Sequence, residues 1–363
     1  MVRAADANET DSADLLPGGL IRTTDREPGI RRRRCGRGFS YLTDDGGRVR
    51  DAAEIARIRS LVIPPAYRDV WICRFPDGHL QATGCDDAGR KQYRYHPDFT
   101  AFRQRMKFDE IIRFAEALPR LRKRVQRDLH RARGARELHR DFAAATAARL
   151  LDLTLIRAGH GGETDGRPTF GLATLRDRHV DLDPRRGDIA LDFRGKSGRR
   201  QRRELTSRTL ARALCRLQTL DGNRLLQYVG PTGEVHPLTA SDINRYLSER
   251  ARRSRRDDLS VTAKDFRTWG ATVFAAAHLA HDGDPTSTTD AKRRLAMSVK
   301  ATAAALGHRP ATCRNYYIHP GIPEAFERGE LTRAMNRRPQ PGRPGGRTTL
   351  NAEERAVLNL LRT

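Results

Sequence analysis

Apolar positions recur along the chain in two rhythms, and the change from one to the other near His96–Pro97 divides it. Before that point short β-like runs dominate. The stretch GIRRRRCGRGFSYLTDDGGRV, from Gly29, reads as strand and turn, with Phe39, Tyr41 and Leu42 beside the turn signal DDGG. VWICRF, HLQATGCD and QYRYH are further strand-like runs, separated by PDG and DDAGR. One helix interrupts them. DAAEIARIRSLVI sets Ile55, Ile58 and Leu61–Val62 at helical spacing behind Asp51 as N-cap, and Pro64–Pro65 stops it. These elements predict a small β-rich domain over residues 21–103, behind an acidic tail, 1–20, that reads as disordered.

Beyond His96–Pro97 the spacing turns helical. Residues 101–152 are helical in pattern and heavily basic, with breaks expected at Pro119 and Gly134. A mixed region follows, with strand-like HVDLD and the pair DIALDF and RRELT around the turn RGKSG. From 206 to 306 helices dominate: TSRTLARALCRLQTL, SDINRYLSERARR and AKDFRTWGATVFAAAHLAH, with HDGDPTSTTD as a loop. A second, mainly helical domain is thus expected over 104–335. The remainder, 336–363, reads as a disordered basic linker, NRRPQPGRPGGRTT, and a short last helix. In that helix Asn351 and Glu354 stand at capping-box spacing. There is no internal repeat, and the fold class is α+β.

One stretch of the helical half, LGHRPATCRNYYIHP (Leu306–Pro320), carries candidate chemistry. Leu295, Val299, Ala303 and Leu306 recur at helical spacing, so a helix runs into Gly307 and stops there. Pro310 suits the first turn of a new short helix. Nine residues along one unbroken helix would put His308 and Tyr317 on roughly opposite faces, at about 3.6 residues per turn. The Gly–Pro break lets both point at one place. A structural tyrosine beside a structural histidine would fit the same letters.

Charge narrows the choice of partner. The chain has 363 residues, with 69 Lys plus Arg against 45 Asp plus Glu, a formal net charge of +24. This favours a polyanion, nucleic acid above all, although a basic ribosomal or membrane-surface protein shares the number. Arginine dominates over lysine, which suits forked grips on phosphate and equally suits a GC-rich genome. No run of eighteen apolar residues is present, and the N-terminus lacks an apolar signal core. A soluble, cytoplasmic location at the nucleoid is expected. Cys35, Cys73, Cys85, Cys215 and Cys313 are scattered without a C-x-x-C, which points to neither a disulfide framework nor a zinc site. His278, His281 and Asp282 read as a helix face running into a loop rather than a metal site. The GKS around Lys196 is not a phosphate loop, because Ala190 stands where that loop needs its first glycine.

Five stretches in order, LIRAG with Arg157, FRGKSG with Lys196, KDFRTWGAT with Arg267, LGH with His308 and NYYIHP with Tyr317, resemble the type IB DNA topoisomerases of the bacterial and poxviral branch. The N-terminal half carries the resemblance through PGIRRRRCGRGFSY, LVIPPAY, VWIC, GHLQATG and GRKQYRYHP. The resemblance implies a clamp around duplex DNA with the topoisomerase IB and tyrosine recombinase catalytic fold, acting as a monomer, without ATP, metal or other cofactor. It implies Tyr317 as nucleophile forming a 3′-phosphotyrosyl link. Arg157, Arg267 and His308 would bear on the phosphate oxygens, and Lys196, on a mobile hairpin tip, would be the general acid. Tyr316 is a rival nucleophile, but the family places its tyrosine directly before I-H-P, which selects Tyr317. Tyr93 and Tyr95 match DNA-contacting tyrosines, and Arg90, Lys91, Lys264 and Arg314 are further expected DNA contacts. Two departures stand out. His308 is the poxvirus-like choice where bacterial relatives often have asparagine, and Glu163 replaces a tyrosine six positions after the first arginine. The alternatives are a tyrosine recombinase or a noncatalytic DNA-binding protein on the same fold. Lys264, in place of a recombinase's histidine, argues against the first, and the retained five residues against the second. Nothing resembles an RNA-recognition module.

Overall fold

The structure is a computed structural model that describes residues 16–131, 138–159, 161–254, 256–336 and 349–362. Residues 1–15 of the expected acidic tail, the expected break at Gly134 and residues 337–348 of the expected linker lie outside them. The chain forms two compact units that divide after Lys107, where the sequence suggested residue 103.

The first unit is built on a five-stranded antiparallel sheet. Its strands are β1 (Ile30–Cys35), β2 (Gly38–Leu42), β3 (Arg68–Ile72), β4 (Leu80–Cys85) and β5 (Lys91–Tyr95), in the order β2-β1-β3-β4-β5. The β1–β2 turn is Gly36–Arg37, with Gly36 at φ 54°; DDGG turns the chain after β2 instead. Between β2 and β3 lies α1 (Ala52–Ser60), where the Asp51 carboxylate accepts from the Ala53 N–H at 2.9 Å. Ile58 of α1 joins Ile30, Val70, Ile72 and Ala82 in one apolar cluster. Successive residues along a strand face opposite ways, so alternate ones share a face. Register pairs Tyr93 with Thr83 and Tyr95 with Leu80, which places both tyrosines on the sheet face away from α1.

The long helix α2 (Pro97–Arg131) starts in the first unit and passes through Pro119 without a break. A proline removes one helical donor and crowds the preceding turn. Here the buried row Ile111, Phe114, Ala115, Leu118, Leu121 and Val125 outweighs that cost, since each fully buried large apolar side chain stabilises by roughly 1.5–3 kcal/mol.

The second unit is mainly helical, with α3 (Arg140–Thr154), α4 (Arg208–Leu217), α5 (Ala240–Ala251), α6 (Ala263–Ala280), α7 (Thr288–Leu306), α8 (Pro310–Tyr316), α9 (Gly321–Glu327), α10 (Leu331–Asn336) and α11 (Ala352–Leu361). Three small antiparallel sheets join it. One is the hairpin β6 (Gly162–Thr164) and β7 (Arg167–Thr169); another pairs β11 (Gln227–Val229) with β12 (Val235–Pro237). The third comprises β8 (Val180–Asp183), β9 (Asp188–Arg194) and β10 (Arg200–Thr206), with β9 central. One continuous core runs through the helices, from Phe108 to Leu358. The last helix belongs to it: Val357 and Leu358 are buried, and Asn351 and Glu354 exchange capping bonds of 2.7 and 2.9 Å. No described helix is long and apolar enough to cross a membrane. The five cysteines are unpaired.

Candidate active site

The site forms where α7 ends. Gly307 takes the left-handed conformation at φ 67° that closes a helix, and Pro310 opens α8. A helix C-terminus leaves its last carbonyls without intrahelical partners. Four consecutive carbonyls here each receive a different arginine. Ala305 O accepts from Arg203 at 2.7 Å, Leu306 O from Arg267 at 2.9 Å, Gly307 O from Arg157 at 3.2 Å and His308 O from Arg199 at 3.2 Å. The negative end of the helix dipole thus gathers guanidinium groups from three separate parts of the chain.

Local structure explains how each arrives. α3 ends at Leu155, a non-glycine residue in the left-handed region at φ 54°. Its side chain fills the space that a Cβ on Gly270 of α6 would occupy, and its carbonyl accepts from Arg267 one turn earlier on that helix. The next residues are pinned to 171–173 by backbone bonds of 2.8 Å from Leu172 N–H to Arg157 O and from Ala173 N–H to Ala158 O. Arg157 is therefore set on a fixed backbone next to α6. Arg267 sits on the buried side of α6, only 4 % exposed.

His308 lies between the two guanidiniums. Arg157 Nη2 is 3.0 Å from Nδ1, and Arg267 Nη2 is 2.7 Å from Nε2. A neutral imidazole has one accepting nitrogen, and an imidazolium has none. Only one of these contacts can be a hydrogen bond; the other sets two donors face to face. Arg267 Nε is also buried with no partner among the described residues. The cluster has more donors than acceptors, the condition that an incoming oxyanion relieves. Burial is the largest cause that lowers the pKa of His308 to about 3, followed by the charges of Arg267, Arg157, Lys196 and Arg199. Burial, then Arg157, lowers Arg267 to about 10, while the charge of and a hydrogen bond to Tyr317 work the other way; Arg267 stays charged at neutral pH. Arg157 is lowered as well, by burial first.

Tyr317 caps α8 with its ring against this cluster. The His308 and Tyr317 ring centroids are 4.1 Å apart, and the Arg267 guanidinium carbon lies 5.9 Å from the Tyr317 ring centre. The rival Tyr316 is 46 % exposed. Thr272 of α6 fixes the backbone just after the Tyr317 side chain: its hydroxyl accepts from the His319 N–H at 3.1 Å and lies 3.2 Å from Tyr317 O. Cys313, one turn before Tyr317, is buried, and burial raises its thiol to about 11, so it stays protonated. Lys196 is exposed on the tip between β9 and β10.

The other expected residues are placed as follows. Lys264 is exposed in the first turn of α6, and Arg314 is exposed on α8. Arg90 pairs with Asp86 at 2.8 Å, while Lys91 is ion-paired with Asp25, which also accepts from Thr83. Tyr93 and Tyr95 are exposed and stacked, with ring centroids 6.1 Å apart and planes at 8°. Glu163 is exposed on β6. His281 pairs with Asp282 at 2.7 Å, both exposed, and no group of three or more His, Cys, Asp or Glu that could hold a metal occurs among the described residues. The sequence reading passed over Arg199, Gln201, Arg203, Leu155 and Thr272. Only the first three left a signal, the every-second-residue spacing of RRQRR, which places them on one strand face.

Two family models and a viral protein match the chain. Residues 38–86 match the family model described as "Bacterial DNA topoisomerase IB, N-terminal domain". Residues 96–326, well over half the chain, match "Eukaryotic DNA topoisomerase I, catalytic core". The chain is also 29% identical over 304 residues to a protein of Acanthamoeba polyphaga mimivirus named "DNA topoisomerase 1B", which covers 80% of this chain and 85% of the viral protein. Two matched segments and an arginine cluster short of an anion meet in one chain, which belongs to the type IB DNA topoisomerase family, a family of isomerases that act on DNA.

Proposed function

We propose that the protein relaxes supercoiled duplex DNA by transient cleavage of one strand, with Tyr317 as nucleophile. The observation that carries this reading is the convergence of Arg157, Arg267 and His308 on the Tyr317 ring, with more donors than acceptors. A scissile phosphate supplies the missing oxygens. Phosphoryl transfer depends mainly on positioned positive charge at the equatorial oxygens, and two arginines provide it. As the phosphate enters, both guanidiniums turn from His308 to its oxygens. The imidazole then gains an anionic neighbour, takes up a proton more readily and donates to a phosphate oxygen.

In the cleavage step the Tyr317 Oη–P bond forms and the P–O5′ bond breaks. The phenolic proton leaves to solvent, and the Lys196 ammonium gives its proton to O5′. The product is a 3′-phosphotyrosyl ester and a free 5′-hydroxyl. After the duplex swivels, the hydroxyl attacks back and each proton returns. One phosphodiester replaces another, so the cycle needs no ATP, and the arginines take the charge-neutralising role that a metal ion would otherwise fill. Tyr93, Tyr95, Arg90, Lys91, Lys264 and Arg314 contact DNA outside the reacting centre. The protein acts as a monomer at the nucleoid.

The test is plasmid relaxation in EDTA without ATP, native chain against Tyr317→Phe. Relaxation by the native chain alone is expected. Equal relaxation by both, or by neither, refutes the assignment. Lys196→Ala is expected to slow cleavage while leaving duplex binding nearly intact.

A further inference from the structure

The role of Lys196 as general acid raises the question of how an exposed lysine on a hairpin tip finds O5′. General acid catalysis contributes about 10²–10⁴-fold and requires hydrogen-bond reach. The hairpin is anchored on both arms: on β9, Arg194 O accepts from the Phe170 N–H at 2.8 Å and Arg194 donates to Thr164 O at 3.2 Å, and one face of β10 lies against the end of α7. Arg199 donates to His308 O at 3.2 Å and Arg203 to Ala305 O at 2.7 Å. Between them, Gln201 accepts from Arg203 at 3.2 Å. Its Cγ lies 3.0 Å from where a Cβ on Gly195 would be, and its Nε2 lies 3.0 Å from where one on Gly307 would be. Gly195 immediately precedes Lys196, and its N–H donates to Arg199 O at 2.8 Å. Gly307 immediately precedes His308. Gln201 thus fills the gap between the backbone that carries the lysine and the backbone that carries the histidine. Neither glycine can gain a side chain without moving it.

We infer that Arg199, Gln201 and Arg203 form a latch that sets the position of Lys196 relative to the Tyr317–His308–Arg157–Arg267 cluster. These are positioning residues that act through Lys196, so the inference rests on the general-acid reading of that lysine. Loosening the latch costs proton delivery to O5′ and leaves phosphate binding and attack by Tyr317 in place.

Changing the leaving atom separates this from a general structural role. A thiolate leaves without being protonated, so a duplex with sulfur in place of O5′ at the cleaved phosphate does not need the acid. The duplex carries the phosphate most often trapped on Tyr317 in a plasmid digest. Single-turnover cleavage is measured on the oxygen and sulfur versions with the native chain, Gln201→Leu, Arg199→Gln and Lys196→Ala. The exposed Arg199 serves if Gln201→Leu does not fold. The latch predicts that Gln201→Leu and Arg199→Gln are slowed about 10–100-fold on oxygen, the scale of an ångström's misplacement, and run at the native rate on sulfur. An equal loss on both versions overturns the latch, since the residues then act on the nucleophile or its arginines. If Lys196→Ala itself stays slow on sulfur, the general-acid reading falls, and the latch with it. If Lys196→Ala recovers and the two latch variants do not, the latch alone falls.

Discussion

Two buried arginine sites in the same helical unit make opposite use of one side chain. Arg122 on α2 meets two carboxylates, Asp152 on α3 at 2.9 Å and Glu354 on α11 at 2.8 Å, and all three side chains are largely buried. Burial works against its charge, yet hydrogen bonds and attraction from Glu354 and Asp152 override it and raise its pKa. Arg267 on α6 is buried as deeply but meets carbonyls, an imidazole and a second arginine, and its pKa falls to about 10. The first site is complete in itself and ties α2, α3 and α11 together. The second carries the desolvation cost of a buried cation and lacks the anion that would offset it. Burial alone does not distinguish the two arginines; the presence of carboxylate partners at Arg122 and their absence at Arg267 does.

The comparison can be broken most directly by exchanging effects between the two sites. Arg267→Ala is expected to slow single-turnover cleavage by about 10³–10⁵-fold, the range of a charge-stabilising arginine in phosphoryl transfer, and to change stability by no more than about 1 kcal/mol, since it also removes an unpaired buried charge. A large loss in urea denaturation would make the two arginines alike. Arg122→Ala is expected to do the reverse. It leaves the buried Glu354 without an ion-pair partner and Asp152 with Arg149 alone, at 2.8 Å, and lowers stability by about 3–5 kcal/mol. Cleavage measured well below its melting point should stay within about threefold of native, the spread expected for a site without contact to the chemistry. Replacing Arg122, Asp152 and Glu354 together by Met, Leu and Leu should restore most of the stability.

A subtler test uses pH. Folding holds His308 at about 3 against 6.5 for the free side chain, so the folded form prefers the neutral ring. That contribution to stability is fully present above 6.5 and is lost progressively as pH falls from 6.5 toward 3. A phosphate bound as proposed favours the charged ring, so duplex binding should take up a proton and strengthen as pH falls toward 3. Melting scans across this window, with and without a short duplex, should show both slopes, and His308→Asn should flatten both. The smallest expected effect concerns Glu163. Glu163→Gln should tighten duplex binding at low salt by roughly two- to fivefold, as for exposed charge pairs, and the gain should fade near 0.15 M salt.

Periodic features were legible in the sequence and tertiary ones were not. The helix stop at Gly307, the restart at Pro310 and the Asn351–Glu354 cap depend on neighbours a few residues away, and the structure has them where local rules place them. Pro119 misled because its local rule yields to the apolar row buried around it. The resemblance singled out His308, Tyr317, Arg157 and Arg267, but not the reason they meet. That reason is a set of backbone carbonyls at a helix end, and every residue type supplies a carbonyl. The Leu155–Gly270 contact was invisible for a similar reason, as it depends on the absence of a side chain at a site more than a hundred residues away.

The α11 segment is held in place as a docked peptide would be. It carries its own cap, its own apolar anchors in Val357 and Leu358, and a carboxylate that completes the Arg122 site. Leu361 lies 3.0 Å from where a Cβ on Gly321 would sit, just beyond the Tyr317 turn. If residues 349–363 were supplied as a separate peptide to a chain ending at 336, covalent connection would matter only as effective concentration. The peptide should bind in trans and raise the melting point, which would turn the end of the molecule into a removable part whose presence can be titrated.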